Sequence, residues 1–202
     1  WSYGAQWSAD GERLLYYDTN APGIFVYDTE TQTAEFVAQG DGLAGAISPD
    51  GRYVAYTEFI QGDHHEGTQS HTILRLMDLS TNTITDLTDE TTALTDDMSP
   101  VWSPNGRYIA FLRRYLDERA TAGNMIYIID IETREVRPIV TDGRYTHGAL
   151  SWDTSGQRLL FQQVIRDPQT NSLANPEIWT YNLQTDQLQE LAKNAFAPHW
   201  IP

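Results

Sequence analysis

The densest group of possible metal-holding side chains in this sequence is Asp63-His64-His65-Glu66, with His71 six residues after His65. Imidazole combined with carboxylate suits zinc, nickel, copper or manganese. The spacing is not His-Glu-x-x-His, and no helical pattern sets two histidines one turn apart, so a zinc-protease centre is excluded. Two readings stay open. One is a loop-borne transition-metal site on Asp63, His64, His65 and His71; the other is a solvated polar loop with titrating histidines. A second group, Asp86, Asp89, Glu90, Asp96 and Asp97, offers oxygen ligands for Ca²⁺ without the alternation around a central glycine of an EF-hand. Its plainer reading is a negative patch that attracts a basic surface.

Other chemistry-bearing patterns are weaker. Gly40-Asp41-Gly42-Leu43-Ala44-Gly45 fits the dinucleotide fingerprint, but the next segment is a strand and not the helix that would receive a pyrophosphate. It reads as a loop. Arg113 and Arg114, with Arg119 and the Asp117-Glu118 pair, form a mixed-charge segment that either anchors an acidic partner or satisfies itself. No Gly-x-Ser-x-Gly elbow occurs, and there is no cysteine to serve as a nucleophile, thiolate ligand or disulfide.

Composition narrows the classes further. The 202 residues carry 28 Asp and Glu against 13 Lys and Arg, a formal charge of −15 that would repel a phosphate backbone and argues against nucleic-acid binding. With 40% hydrophobic and 11% aromatic residues, the chain is rich enough for a packed core. No apolar run has the length of a membrane-spanning helix.

These side chains must be positioned by a repeat. Trp7-Ser8-Ala9-Asp10-Gly11, Ile47-Ser48-Pro49-Asp50-Gly51, Trp102-Ser103-Pro104-Asn105-Gly106 and Trp152-Asp153-Thr154-Ser155-Gly156 recur, their glycines 40, 55 and 50 residues apart. A fifth copy opens at Pro198-His199-Trp200. Pro presets φ, Asp or Asn tolerates the next position, and Gly takes φ > 0 to close a hairpin. Beyond each Gly the third residue is aliphatic (Leu14, Val54, Ile109, Leu159) and the fifth aromatic (Tyr16, Tyr56, Phe111, Phe161). The fourth is apolar too, so each such strand is expected to be covered on both faces. A second turn motif comes later in each copy, at Asp28–Thr31, Asp78–Thr81, Asp130–Thr133 and Asn182–Thr185. Four short strands per unit of about 50 residues, with no helical period, describe the blades of a propeller.

Trp102 to Phe111 resembles the TolB-type β-propeller repeat, a relative of the WD-repeat propellers. The expected fold is all-β: a β-propeller of four four-stranded blades at about 1–39, 40–89, 90–142 and 143–193, with a closing strand at 194–202. That strand lacks outer partners, so the chain reads as the C-terminal part of a larger propeller, against a closed four-bladed ring with a spare strand. His147 and His199 fall on innermost strands, where some propeller lyases resembling this architecture hold a metal. Their different offsets from Trp152 and Trp200 favour a core or channel-lining role.

Irregular length collects on one face, in Glu58–His71, Asp89–Pro100, Arg113–Asn124 and Gln163–Pro176. Insertions confined to one face of a repeat protein often mark the binding face. The expectation is a non-catalytic protein–protein interaction module, with Phe59, Arg113, Arg114, Tyr115, Tyr145 and Leu173 as contact residues and no obligatory cofactor. The different-class alternative is a propeller enzyme, either a metal-dependent lyase or hydrolase or the gating propeller of a prolyl-oligopeptidase-like peptidase. The resemblance implies a periplasmic or extracellular location and a protein partner.

Overall fold

The computed structural model describes residues 2–39, 43, 45–63, 65, 67–88, 94–121, 123–165 and 172–200. Among them are sixteen β-strands and no helix. The chain divides into two compact units, Trp1–Trp102 and Ser103–Pro202.

The turns explain why strands form where they do. In the first copy Ser8 Oγ donates to Asp10 Oδ1 (2.5 Å) and accepts from the Arg13 amide (3.0 Å), while Asp10 Oδ1 also accepts from the Glu12 amide (2.9 Å). Ser48, Asp50, Arg52 and Tyr53 repeat this pattern, as do Ser103, Asn105, Arg107 and Tyr108. Gly11, Gly51, Gly106 and Gly156 each take φ near +70°, where a Cβ would be strained. In the fourth copy Asp153 replaces the serine and accepts from the amides of Gln157 and Arg158 itself. The second motif works alike: Asp28 Oδ1 accepts from the amides of Glu30 and Thr31, and Asp130 Oδ1 from Glu132 and Thr133.

In the first unit, β1 (Ser2–Trp7), β2 (Arg13–Asp18), β3 (Gly23–Asp28) and β4 (Thr33–Ala38) form one antiparallel sheet in chain order. β5 (Ala46–Ile47), β6 (Tyr53–Ile60), β7 (His71–Asp78) and β8 (Thr83–Asp86) pair likewise. β9 (Thr95–Trp102) meets β7 in parallel at Thr72 and Asp96. In the second unit, β10 (Tyr108–Tyr115), β11 (Met125–Asp130) and β12 (Val136–Val140) form one antiparallel ladder. β13 (Tyr145–Trp152), β14 (Arg158–Ile165), β15 (Glu177–Asn182) and β16 (Gln187–Lys193) form a four-stranded sheet.

The core lies between sheets. Leu15, Tyr17, Ile24 and Val26 of the first sheet pack against Ile47, Val54, Tyr56 and Met77 of the second. Val54 and Tyr56, Ile109 and Phe111, and Leu159 and Phe161 are buried, together with Ala55, Ala110 and Leu160 on the opposite faces. Two-sided burial therefore holds for β6, β10 and β14. It fails for β2, where Leu15 and Tyr17 are buried but Leu14 and Tyr16 on the other face are only half-covered. Among the described residues of the first unit no sheet lies on that side.

A regularity that the residue types do not announce sits in the innermost strands. The residue three before each tryptophan is left-handed: Gly4 (φ 67°), Ser99 (55°), Ala149 (50°) and Ala197 (52°). At Gly4 and Ala149 it coincides with a bulge in the ladder. A bulge inserts an unpaired residue and bends its strand.

Residues 194–200, the described part of the expected closing strand, join no ladder of the described strands. The segment is instead held by its own side-chain and amide bonds. Trp200 Nε1 donates to the Ser151 carbonyl (3.3 Å), and the Ala197 amide donates to Gln162 Oε1 (3.1 Å).

Candidate interaction face

The ladder registers place the irregular segments. In the first unit Ile60 opposes His71, so the chain leaves the β6–β7 pair at that end, while at the other end Tyr53, opposite Asp78, follows one tight turn and Asp78 leads into another. In the second unit Arg113 opposes Met125 and Gln163 opposes Glu177, which sets 116–121, 123–124 and 172–176 at the loop end. Strands run further into these segments than expected. Phe59 pairs with Thr72 inside β6–β7, and Arg113, Arg114 and Tyr115 belong to β10. The contact candidates thus stand mostly on strand ends, which position side chains more rigidly than free loops do.

The 61–70 loop is pinned by its own polar groups. Ser70 Oγ accepts from the Gly62 amide (3.0 Å), Asp63 O accepts from the Thr68 amide (2.9 Å), and Asp63 Oδ1 accepts from the His65 amide (2.7 Å). A Cβ on Gly62 would lie 2.5 Å from backbone atoms of Thr68, Gln69 and Ser70, so only glycine fits. His71 is buried at the root of β7, with Nδ1 3.2 Å from the Gln69 carbonyl. Asp63 and His65 are exposed, and His64 and Glu66 lie outside the described residues. Among the described residues, no three His, Cys, Asp or Glu side chains converge on a metal position. In the acidic group, Asp86 is ion-paired to Arg75 (2.9 Å), Asp96 accepts from the Thr72 amide (3.1 Å), and Asp97 is buried. Asp89 and Glu90 are outside the described residues, as is most of the glycine-rich Gly40–Gly45 segment.

The loop end of the second unit carries a connected aromatic–arginine surface. The Arg113 guanidinium lies over Phe111 and Tyr127, 5.3 and 5.0 Å from their ring centres. The Tyr115 and Tyr127 hydroxyls are 3.2 Å apart. Arg119 stacks 4.3 Å over Tyr115 while bonded to both oxygens of Asp117, whose carboxyl this holds down at about 2. Arg144 covers Tyr145 at 5.6 Å and pairs with Asp142 at 2.6 Å, lowering that carboxyl as well. The mixed-charge segment is therefore self-satisfied at Arg119, which acts as a lid on Tyr115. Leu173 is exposed at this end, where the Ala174 amide donates to the Ile165 carbonyl (2.9 Å).

Behind this surface sits His147, which is buried. Its Nδ1 is 2.7 Å from the Asn124 carbonyl, its ring meets Phe161 edge-on at 5.7 Å and Tyr145 at 6.3 Å, and Nε2 makes no hydrogen bond. Burial pushes its pKa down. This places His147 in the core, whereas His199 is exposed. Beside it, Glu177 accepts from Trp179 and Gln163 (3.0 and 3.1 Å), bonds that lower its carboxyl. Sequence reasoning passed over Tyr127 because it occupies a core position of a third strand. Its hydroxyl reaches the loop end only because β11 begins there.

Solved structures with this architecture are numerous. TolB from Acinetobacter baumannii matches 98% of this chain with 18% identity and a TM-score of 0.66, over 45% of its own chain. The fold is a TolB-type β-propeller repeat. An oligogalacturonate lyase from Vibrio parahaemolyticus aligns with 95% of the propeller chain at 16% identity and a TM-score of 0.65, over 53% of its own length. The tricorn protease aligns with 96% at 14% identity and a TM-score of 0.69, over 22% of its chain. The propeller chain thus spans about half the length of the first two structures. No protein-family model and no curated protein sequence matches it. Identities this low carry the fold alone, and these neighbours include both a TolB and enzymes.

Proposed function

We propose that this propeller is a non-catalytic interaction module that binds another protein through its loop end, outside the cytoplasm. The observation that supports this most is the arrangement of Arg113, Tyr115, Tyr127 and Arg119. Half-buried Arg113 and Tyr115 at the end of β10, with exposed Arg119 stacked on Tyr115 and buried Tyr127 bonded to it, are residue types that dominate protein-binding hot spots. Tyr145, Arg114 and Leu173 extend the surface in the second unit, and Phe59 is the corresponding exposed aromatic of the first. Arg119 and Arg144 are already neutralised by Asp117 and Asp142, so recognition rests on stacking and shape more than on net charge. No helix among the described residues is long and apolar enough to cross a membrane.

Site-specific photo-crosslinking in the native host tests this reading. A photoreactive residue at Leu173 or Phe59 should capture one discrete protein, and the same probe at Asn105 in a tight turn should not. Capture lost with Tyr115→Ala supports the assigned surface. Equal capture from both ends, or from neither, overturns it.

A further inference from the structure

Gly123 and Asn124, just before β11, are seated on β13 by a compact set of bonds. The Asn124 carbonyl accepts twice from His147, from the backbone amide at 3.0 Å and from ring Nδ1 at 2.7 Å. The Asn124 amide donates in turn to Thr146 Oγ1 (3.2 Å), and Thr121 Oγ1 donates to the Gly123 carbonyl (2.8 Å). A Cβ on Gly123 would stand 2.5 Å from the Tyr145 carbonyl oxygen, so the two backbones touch there. The His147 ring thus supplies one of the two donors that hold Asn124. A few residues earlier in the chain is Arg119, the cover of Tyr115.

The surroundings of that ring suit only its neutral form. It is 4% exposed, it meets Phe161 and Tyr145, and its Nε2 has no hydrogen-bond partner. A proton arriving at Nε2 makes a buried cation, which is unfavourable without a strong acceptor beside it. The neighbouring elements offer little. Gln163 of β14 has committed its amide N–H to Glu177 of β15, and the same Glu177 oxygen also takes the Trp179 indole. The Asp142 carboxylate favours the cation, but Arg144 is bonded to both of its oxygens. On the third sheet Arg113 lies over Phe111 and Tyr127 and has no acceptor to give. The relief left to a protonated ring is to turn out to water, and that withdraws Nδ1 from the Asn124 carbonyl.

We propose that His147 is a proton-operated latch of the loop end: neutral, it pins Asn124 to β13; protonated, it leaves the core and lets residues 116–121, with Arg119, move off Tyr115. As a regulator of the interaction face, the latch rests on the reading of that face as a binding surface, but its opening needs no partner to be seen. Burial holds the imidazole below its ordinary value of 6.5, so the latch is closed at neutral pH and opens as pH falls beneath that value. The Asp117 carboxyl paired with Arg119 sits at about 2 and stays ionised throughout this range.

A spin label tests this. The chain has no cysteine, so a single Glu118→Cys carries a nitroxide at a unique position. Its electron paramagnetic resonance spectrum should report several-fold faster motion as pH is lowered from about 7.5 to about 5. Adding His147→Gln, which can still donate to the Asn124 carbonyl but does not titrate, should abolish the change. A label at Gln157→Cys, in the tight turn of the fourth copy, should not respond. An unresponsive Glu118→Cys label, or an equal response with His147→Gln, overturns the latch. So does a loss of circular dichroism in step with the spectral change, because the motion would then be global unfolding. A label that responds as expected while crosslinking at Leu173 captures nothing at any pH leaves the latch standing and removes the binding reading.

Discussion

The imidazole of His147 donates from Nδ1 to the carbonyl oxygen of Asn124 across 2.7 Å, which fixes its tautomer and turns Nε2 into a buried lone pair. A carbonyl cannot donate, so the proton at Nδ1 is set by its partner. Protonating Nε2 would place a charge between Phe161 and Tyr145, where the nearby Gln163 amide and Asp142 carboxylate compensate only part of the desolvation.

Stability should therefore depend on pH through this residue. The folded state holds His147 below the ordinary imidazole value of 6.5 because of burial, so below that value the unfolded chain binds the proton more readily. The stabilising contribution is whole above 6.5 and is lost as pH falls toward the lower folded value. Urea midpoints measured across this range should fall more steeply for the unaltered protein than for His147→Gln, which does not titrate. Parallel curves would mean that the proton is accommodated without cost.

Ala149 occupies a left-handed backbone at φ 50°, where a Cβ is unfavourable by about 1–2 kcal/mol. Ala149→Gly relieves this and adds chain entropy to the unfolded state, a partial offset. The expected net gain is about 0.5–1 kcal/mol by chemical denaturation. Ala149→Val, β-branched in the same backbone, should lose stability. Gly4 already holds the equivalent position in β1.

Phe161 and Tyr16 share one place in the repeat and differ in surroundings. Phe161 is buried, so Phe161→Ala should cost about 3–5 kcal/mol through lost transfer energy and the cavity left behind. Tyr16 is only half-covered, and Tyr16→Ala should cost less than about 1.5 kcal/mol. Equal losses at the two sites would show that Tyr16 is already covered under the conditions of measurement.

The contrast shows what was legible in the sequence. The turns were, because Ser48, Asp50 and Gly51 are needed for local hydrogen bonds and a local φ that no distant contact supplies. Strand faces in the later copies were equally legible, since aliphatic and aromatic residues at fixed offsets have one physical use. The openness of Tyr16 was not, because the same residue type appears whether or not a sheet lies beside it. The left-handed residue before each tryptophan was hidden because Ser99, Ala149 and Ala197 carry no turn signature. The extent of β6 and β10 was underestimated for a related reason. Phe59 and Arg113 have partners across the ladder, in Thr72 and Met125, that a polar neighbourhood disguises. The loop-end surface was found only in part: Arg113 and Tyr115 stand out by type, whereas Tyr127 joins them through the geometry of β11.

The indole bonds from Trp102 to the Ala46 carbonyl and from Trp200 to the Ser151 carbonyl also govern how the molecule comes apart. Such contacts make stability a sum over nearest neighbours, as in a row of linked spins, and a member with one neighbour is held less firmly than a member with two. The first sheet is bonded to its successor by Arg13 Nη1 to the Gly51 carbonyl (2.9 Å), the Ala9 amide to the Pro49 carbonyl (2.9 Å) and the Ile47 amide to Gln6 Oε1 (2.9 Å). β6 and β7, laddered on both sides within the first unit, should accordingly keep their amides protected from exchange the longest.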